Sequence, residues 1–469
     1  MAILSNWKPH VNSQLIHHAG VRSLLEQGRV ERWARHAGHR WRDSHWAPQA
    51  TLITFLLQVL DGAKTLRSAV ALWITHAPKL SHNRLGQRDL AAIPSADPSA
   101  YCQARQRLPF EVIRLLLQAV ARKLWYAQEA TATWCGRRVW VVDGSSVTMP
   151  DTPELQAAFP QPAGQKPGCG FPVAQFVAVF CHATGAIADL AIDSIRPHEL
   201  TLLRRLYHRF APGDVVLGDR AYGPYADLAL LLTRGVFSVV RLHQRRKADF
   251  RRGRRLGEDD VLTTWLRPAR WSPSCGLTET EFAELPETLS VRLVRIRHAI
   301  KGYRNRTLVV ATTLLDDVET PADEIRALYR NRWTAELNLR SLKTHLGMEV
   351  LRGRSIEIVA KEIAMHLVAY NFIRLLMADA ARQAGRDPHR LSFTGTLHRL
   401  RHALPSLLFG DERERAELTR QLATWIAADV VPHRPDRTEP RRIKRRPKQY
   451  SRLTKPRQWY NQHRDKNGR

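Results

Sequence analysis

The sequence has little cysteine, and its cysteines follow no pattern. Its 469 residues include five cysteines, an odd number with no C-x-x-C spacing. A zinc ribbon needs paired cysteines, and a secreted disulfide framework normally has an even number of them. We therefore expect reduced, structural cysteines and neither kind of site. The 20 histidines are scattered, without the spacing that a metal site requires.

The sequence also lacks a long uninterrupted hydrophobic run. The longest candidate, around residues 51–74, is broken by Asp61, Lys64 and Arg67, which indicates an amphipathic helix rather than a membrane span. The first residues, with Lys8 among them, do not form the apolar core of a signal peptide. We expect no membrane partner and a cytoplasmic or nucleoid location.

Acidic residues are scarce relative to basic ones. Lysine and arginine number 73 against 44 acids, a net charge of +29. An excess of this size favours a polyanionic partner, either nucleic acid or an anionic membrane surface. The last residues, 433–469, hold 14 lysines and arginines and three acids. We expect this tail to order on a phosphate backbone, the alternative being a solvated tail with no partner.

Hydrophobic periodicity divides the chain into helical and extended regions. Helical spacing through Leu52–Leu60 and Val112–Leu124 indicates a helical N-terminal domain. From Arg138 the period becomes extended, and alternating strands and helices then predict a mixed α/β sheet covered by helices. The predicted segments are an N-terminal helical domain that binds DNA (1–130), the first part of a catalytic core (131–240), a β-rich insertion (241–316), the remainder of the core with C-terminal helices (317–432), and a basic tail (433–469).

Two aspartates follow valine-rich strand runs. Asp143 comes after Val139–Val142, and Asp219 comes after Val215–Gly218. We therefore place both at strand ends, where two carboxylates of one sheet can converge on a divalent cation such as magnesium, which favours oxygen ligands. Either aspartate alone is more often a helix cap or a turn residue.

A predicted helix from about residue 322 to 346 supplies a third acid. At about 100° per residue, Tyr329, Arg332, Glu336 and Lys343 fall on one stripe about 60° wide. This arrangement suits a nuclease or strand-transfer site, in which Glu336 completes the metal cage and the two cations hold phosphates. The alternative is a surface stripe in which Arg332 and Glu336 form an ordinary i,i+4 salt bridge.

The spacing Tyr-x2-Arg-x3-Glu-x6-Lys resembles the Y-R-E-K signature of the bacterial insertion-sequence-four family of transposases. The resemblance extends to other motifs, namely Asp143-Gly144-Ser145 with Pro150-Asp151-Thr152, the run from Gly213 to Tyr222, and the basic clusters Arg445-Arg446-Pro447-Lys448 and Lys455-Pro456-Arg457. It covers about residues 95–460.

The resemblance implies an RNase H-like catalytic core interrupted by a β-rich insertion, with Asp143, Asp219 and Glu336 as catalytic and metal-binding residues. It also implies Mg²⁺ or Mn²⁺, terminal inverted repeats and target DNA as double-stranded DNA partners, a homodimeric synaptic complex at the bacterial nucleoid, and cut-and-paste movement. Arg220 and Arg340 join Tyr329, Arg332 and Lys343 as predicted DNA contacts.

One position departs from the family pattern. Leu308 stands where a tryptophan of the insertion can receive a flipped base during hairpin formation, and Trp265 or Trp271 are the candidate substitutes. The sequence therefore does not predict which residue, if any, would receive the base.

The predicted mechanism is an in-line displacement at phosphorus served by two metal ions. Three other functions stay open, and each has its own test. A catalytically silent repressor binds without cutting, a basic coating protein is indifferent to loss of the acids, and a hydrolytic nuclease cuts without joining.

Overall fold

The computed structural model describes residues 21–42, 44–76, 95–126, 133–297, 307–432 and 453–463. The chain folds into two compact units. The sheet unit is built on Ala130–Leu339, and the helical unit combines Lys8–Glu129 with Arg340–Pro432. The predicted segment 317–432 is thereby divided between the two units.

Helices account for most of the regular structure outside the sheet. In chain order the α-helices are α1 (Val21–Leu24), α2 (Gln27–His36), α3 (Pro48–Leu60), α4 (Leu66–His76), α5 (Ser99–Arg107), α6 (Phe110–Tyr126), α7 (Pro153–Ala158), α8 (Glu199–Arg204), α9 (Tyr225–Thr233), α10 (Glu279–Ala283), α11 (Ala322–Arg330), α12 (Trp333–Arg340), α13 (Ile356–Gln383), α14 (Phe393–Phe409), α15 (Glu412–Ala428) and α16 (Arg457–Gln462).

The helical unit is organised around α13, which packs against α3, α6, α14 and α15. Ser355 caps α13 by accepting a hydrogen bond from the Ile358 N–H at 3.4 Å. By length and composition α13 is apolar enough to cross a membrane, but 89% of its most apolar window is buried within the protein. Packing against four other helices therefore accounts for its composition. The predicted helical runs 52–60 and 112–124 lie in α3 and α6 and are confirmed.

Ten strands in the described residues form one sheet. They are β1 (Thr133–Trp134), β2 (Arg137–Thr148), β3 (Val173–Cys181), β4 (Ile187–Ser194), β5 (Val215–Gly218), β6 (Phe237–Arg241), β7 (Arg254–Gly257), β8 (Asp260–Leu266), β9 (Thr288–Arg297) and β10 (Thr307–Thr312).

The strand order is β4-β3-β2-β5-β6-β10-β9-β8-β7, and β1 pairs with β2 outside this path. The pairs β2–β5 and β5–β6 are parallel, whereas the others are antiparallel. A parallel pair needs a crossover, and α9 supplies the one between β5 and β6. The fold is thus mixed α/β with a large sheet, as predicted.

A buried aspartate fixes the register between β2 and β5. Asp214, only 2% exposed, accepts hydrogen bonds from Arg138 Nε at 2.7 Å and from the Trp140 indole N–H at 2.8 Å. Its carboxylate also accepts from the Ala211 N–H at 2.9 Å. These bonds tie the residue before β5 to two residues of β2, so the position of one strand along the other is set by side chains as well as by backbone.

The prediction that Asp143 ends a strand is wrong. β2 continues to Thr148, because its far half pairs with β3 as far as the Thr148–Val173 pair. Only the near half of β2 has β5 as a parallel neighbour, and that pairing ends at Val141. Asp143 therefore lies in mid-strand, just beyond the point where the parallel neighbour stops.

The prediction of one continuous helix over 322–346 is also wrong. α11 ends at Arg330, α12 begins at Trp333, and Ser341–His345 is a π-helix. Between α11 and α12 the chain tightens, since the N–H groups of Arg332 and Ala335 bond to carbonyls three residues earlier. The signature residues consequently do not share the straight stripe that a uniform 100° step predicts.

The insertion strands extend the sheet beyond β6. β10 pairs with β6, and β9, β8 and β7 follow outward. Arg292 is fully buried and donates from Nε to Asp260 Oδ1 at 2.8 Å and from Nη1 to the Thr320 carbonyl at 2.7 Å. The predicted strand runs 290–296 and 307–312 fall in β9 and β10, whereas β7 and β8 were not predicted.

Candidate active site

Two neighbouring strands bring the first two predicted acids together. β2 and β5 run parallel, and their pairing ends with Val141 opposite Leu217. Asp143 and Asp219 each lie two residues beyond that last pair. Because neighbouring strands are about 4.8 Å apart, the sheet brings these two residues to adjacent positions.

Asp143 feels the charges of the other two predicted acids. Burial is the largest cause that raises the pKa of its carboxyl group to about 6, and the negative charges of Asp219 and Glu336 act in the same direction. The Gly144 N–H, which donates to Asp143 Oδ1 at 2.9 Å, and the Arg332 guanidinium oppose the shift. Like charges disfavour one another's ionisation, so this cluster gains from a bound cation.

Asp219 directly follows β5, so its predicted place at a strand end is confirmed. Its Oδ1 accepts the Ala221 N–H at 2.7 Å and thereby caps the short 3-10 turn Arg220–Tyr222. Arg220 is exposed and donates to Gln244 Oε1 at 2.8 Å. The turn thus presents a cation directly beside the second acid.

Glu336 lies in the first turn of α12 and pairs with Arg332, with 2.8 Å between Arg332 Nη2 and Glu336 Oε1. The Arg332 side chain is 16% exposed and the Glu336 side chain 38%, so the acid is the more open partner. This is the i,i+4 salt bridge that the sequence offered as an alternative. Arg332 also opposes the rise in the pKa of Asp143, so its charge acts on that acid as well as on Glu336.

The two aromatic residues next to Arg332 have opposite environments. Tyr329 is 7% exposed. Burial raises the pKa of its phenol, and the Arg332 and Arg241 cations oppose that shift. Trp333 is 53% exposed and was not singled out from the sequence. Its position directly after the signature arginine was the available signal.

Sequence reasoning also missed Glu199 and Tyr222. The Tyr222 hydroxyl donates to Glu199 Oε2 at 3.3 Å. Burial, followed by the charges of Glu199, Asp143 and Asp219, raises the pKa of the Tyr222 phenol well above its ordinary value. Tyr222 was visible as the end of the motif that contains Asp219. Glu199 carried no sequence signal, since it reaches the site only through the path of the chain from β4 into α8.

Arg340 and Lys343 belong to the other part of the signature. Arg340 is the exposed last residue of α12, and Lys343 lies half-buried in the π-helix. Both fall in the helical unit, whose first residue after the sheet unit is Arg340. Their assignment as DNA contacts stays a prediction.

The candidate metal ligands of this site are carboxylates, which hard divalent cations prefer. Asp143 and the two acids whose charges act on it, Asp219 and Glu336, supply oxygen ligands of the kind that magnesium and manganese prefer. Among the described residues, no group of three His, Cys, Asp or Glu side chains is already arranged to hold a metal ion. Asp143 and Asp219 instead accept backbone N–H groups, and Glu336 faces Arg332. A cation held by the three acids would therefore share the Glu336 carboxylate with Arg332 or replace Arg332 there.

The tryptophans that were candidates to replace Leu308 are engaged elsewhere. Trp265 is 8% exposed, and the Arg246 guanidinium lies 3.9 Å from the centre of its ring. The Trp271 indole N–H donates to the Leu277 carbonyl at 2.9 Å. The Arg246 guanidinium therefore occupies a face of the Trp265 ring on which a base would stack.

A mixed sheet with two acids on adjacent strands, and a glutamate and an arginine in the same electrostatic cluster, is typical of enzymes that transfer phosphoryl groups with divalent metal ions. The strongly basic composition makes nucleic acid the expected substrate.

Comparison with known proteins identifies the family. Residues 134–372, more than half of the chain, match the model of the transposase DDE domain. The chain therefore belongs to the DDE transposases, enzymes of DNA cleavage and strand transfer that generally use divalent metal ions. It is 27% identical over 360 residues to the transposase InsG for insertion sequence element IS4 of Escherichia coli (strain K12), covering 76% of this chain and 78% of that protein. The predicted insertion-sequence-four family is confirmed.

One solved structure shows a distant likeness. It is a piggyBac transposase in a synaptic complex with hairpin DNA, with a TM-score of 0.40 and 10% sequence identity, covering 89% of this chain and 86% of that one.

Proposed function

We propose that this transposase binds the terminal inverted repeats of an insertion sequence, cleaves the element's ends and joins them to target DNA. The observation that carries the proposal is the placement of Asp143 and Asp219 two residues beyond the last β2–β5 pair, where the charges of Asp219 and Glu336 both act on Asp143. The three lie within the residues that match the transposase DDE domain.

The core that holds these acids is proposed to be RNase H-like. Three antiparallel strands, β4-β3-β2, are followed in the sheet by the parallel pair β5 and β6. Asp143 lies on the central strand β2, and Asp219 directly follows the neighbouring strand β5, as such a core requires. The β-rich insertion follows β6 and precedes the helix that bears the glutamate.

Asp143, Asp219 and Glu336 are the residues that would hold two Mg²⁺ or Mn²⁺ ions. When bound, such ions polarise the scissile phosphodiester and favour the ionised form of the attacking oxygen. Water attacks first and frees a 3′-hydroxyl at the element's end, and that hydroxyl then attacks the opposite strand or the target DNA. In each displacement one P–O bond forms as another breaks.

Arg332 has two successive tasks in this scheme. In the structure it pairs with Glu336 at 2.8 Å, and its guanidinium keeps the acids partly neutralised. If Glu336 held cations instead, the planar Arg332 guanidinium would be able to hold a phosphate through two parallel hydrogen bonds. Arg220, Arg340 and Lys343 are proposed as further phosphate contacts.

Tyr329 is proposed to position the strand rather than to attack it. The side chain is buried, and its phenol has a raised pKa, so the phenolate is disfavoured as a nucleophile. No covalent protein–DNA intermediate is expected. A DNA adduct recovered on Tyr329 after denaturation would refute this assignment.

The proposed partners are double-stranded DNA and a second copy of the chain in a homodimeric synaptic complex at the bacterial nucleoid. The net charge of +29 supports the DNA partner. The N-terminal helices of 1–130 are proposed to contact DNA. The predicted ordering of the basic tail 433–469 lies largely outside the described residues, which there include the short helix α16 and Lys455, whose Nζ lies 3.6 Å from the Trp459 ring centre.

The experiment is cleavage of a labelled duplex that carries the element's terminal repeats, in Mg²⁺, by wild type and Glu336→Gln. We expect nicking at the repeat boundary by wild type, and none by the variant, which still binds the ends because the basic surface is unchanged. Glu284→Gln, at an exposed position of the insertion, is the matched control and should cleave normally. Binding without cleavage in every protein would indicate a repressor, and cleavage without joining would indicate a nuclease.

A further inference from the structure

A fourth acid, Glu199 of α8, touches the site from the side of Gly144. A Cβ atom built on Gly144 lies 2.7 Å from Glu199 Cδ, 2.7 Å from Oε1 and 2.8 Å from Oε2. These distances are well inside van der Waals contact, so the Glu199 carboxylate fills the space that a side chain at position 144 would take. Gly144 follows Asp143 directly and donates its N–H to that acid.

Glu199 also contacts a residue of the turn that follows Asp219, the second acid. Its Oε2 accepts a hydrogen bond from the Tyr222 hydroxyl at 3.3 Å. Tyr222 is 2% exposed and ends the turn that Asp219 caps. One carboxylate thus lies against the backbone beside Asp143 and also holds the buried phenol beside Asp219.

We propose that Glu199 is a positioning residue of the transposase site, which strengthens the binding of divalent cations by adding a negative charge against Gly144, the residue after Asp143, and by fixing Tyr222 against the Asp219 turn. The inference rests on the proposed function, because it takes Asp143, Asp219 and Glu336 as the residues that hold the cations. Groups around metal ligands are commonly worth about 10- to 100-fold in metal affinity or activity.

A merely structural role for Glu199 makes a different prediction. Glutamine has the same shape and keeps an oxygen that can accept from the Tyr222 hydroxyl, so a structural role would survive Glu199→Gln. The proposed role would not, because the substitution removes the charge. Glu199→Asp keeps the charge and should retain part of the effect.

The test is Mn²⁺ binding to the full-length protein by isothermal titration calorimetry, with the fold of each variant checked by circular dichroism. We expect about a 10-fold weaker Mn²⁺ affinity for Glu199→Gln, a smaller loss for Glu199→Asp and no change for the control Glu284→Gln. In cleavage assays, Glu199→Gln should need more Mn²⁺ for half-maximal rate and regain most of the maximal rate at saturation.

A second variant moves the carboxylate without removing it. A methyl group at position 144 collides with the end of the flexible Glu199 side chain, so Gly144→Ala should displace that carboxylate while the 144 N–H is kept. We expect weaker Mn²⁺ binding, and little additional loss when Gly144→Ala is combined with Glu199→Gln. Additive losses would show that the two residues act separately, and would overturn the contact-based part of the inference.

Asp143→Asn separates this inference from the function on which it rests. Mn²⁺ binding lost in Asp143→Asn but unchanged in Glu199→Gln overturns the role of Glu199 and leaves the proposed function standing. Unchanged binding in Asp143→Asn overturns the proposed function, and the inference with it.

Discussion

Replacing Asp143 by asparagine should stabilise the protein when no metal is present. The pKa of this carboxyl group is raised from 3.8 to about 6, mainly by burial. At about 1.36 kcal/mol per pH unit, this difference amounts to at most about 3 kcal/mol. The raised pKa favours folding below pH 3.8, and that contribution is lost as the pH rises through 6. Asparagine stays neutral and keeps an oxygen for the Gly144 N–H, so the variant avoids the loss.

The assay is urea unfolding in EDTA at pH 4 and pH 8, followed by circular dichroism. We expect the free energy of unfolding of Asp143→Asn to exceed that of wild type by about 1–3 kcal/mol at pH 8 and by less than about 1 kcal/mol at pH 4. Asp317→Asn, at an exposed position, should show no such difference. Mn²⁺ should then stabilise wild type more than the variant. A ligand adds stability by binding the folded state, and the variant lacks one of the carboxylates that would hold Mn²⁺. The reasoning would be refuted if the variant were less stable than wild type at pH 8. It would also be refuted if the variant exceeded wild type in stability by the same amount at both pH values.

Three further predictions concern other parts of the molecule. Asp214→Ala should lower the free energy of unfolding by about 1.5–3 kcal/mol, because it removes the buried carboxylate that accepts hydrogen bonds from Arg138 Nε and the Trp140 indole N–H; a loss below about 1 kcal/mol in urea unfolding would contradict the role given to Asp214 in fixing the register of β2 and β5. Arg332→Lys should slow cleavage by about 30-fold, or about 2 kcal/mol, since a lysine keeps the charge but not the two-pronged hydrogen bonding; single-turnover rates at saturating Mg²⁺ test this, and an unchanged rate would exclude a phosphate role. Truncation after Pro432 should weaken end binding and flatten its dependence on salt, because fewer counterions are released; identical slopes in binding titrations from 50 to 200 mM salt would show that the tail takes no part.

The parts of the site that follow from strand composition were predictable. Val215–Gly218 is buried on both faces, and its hydrophobic run identifies β5 and the acid at its end. The same reasoning placed Asp143 at a strand end and was wrong there. Gly144 and two serines look like a turn in sequence, but pairing with β3 over residues 140–148 holds them extended. Tertiary pairing overrode local propensity.

Positions that depend on the path of the chain were not predictable. A uniform helical step put the signature residues on one stripe, whereas backbone hydrogen bonds tighten the chain at Arg332 and widen it into a π-helix after Arg340. Glu199 reaches the site because α8 begins beside β2, which no spacing along the sequence reveals. The spacing of two residues along the sequence predicts whether they are neighbours within one helix or strand. Contacts between different helices and strands can be predicted only when the fold is known.

The pairing of β6 with β10 has a consequence for deletion and for evolution. Without the insertion, β6 would become the border of the sheet and would expose a row of unpaired N–H and C=O groups close to the catalytic strands. Such a border is a template for pairing with another chain, and hence for aggregation. We therefore expect a shortened transposase that lacks 241–316 to aggregate, even if its catalytic strands keep their fold. The outermost strands, β7 and β8, lie furthest from β6 and are free to change in length and sequence without uncovering it.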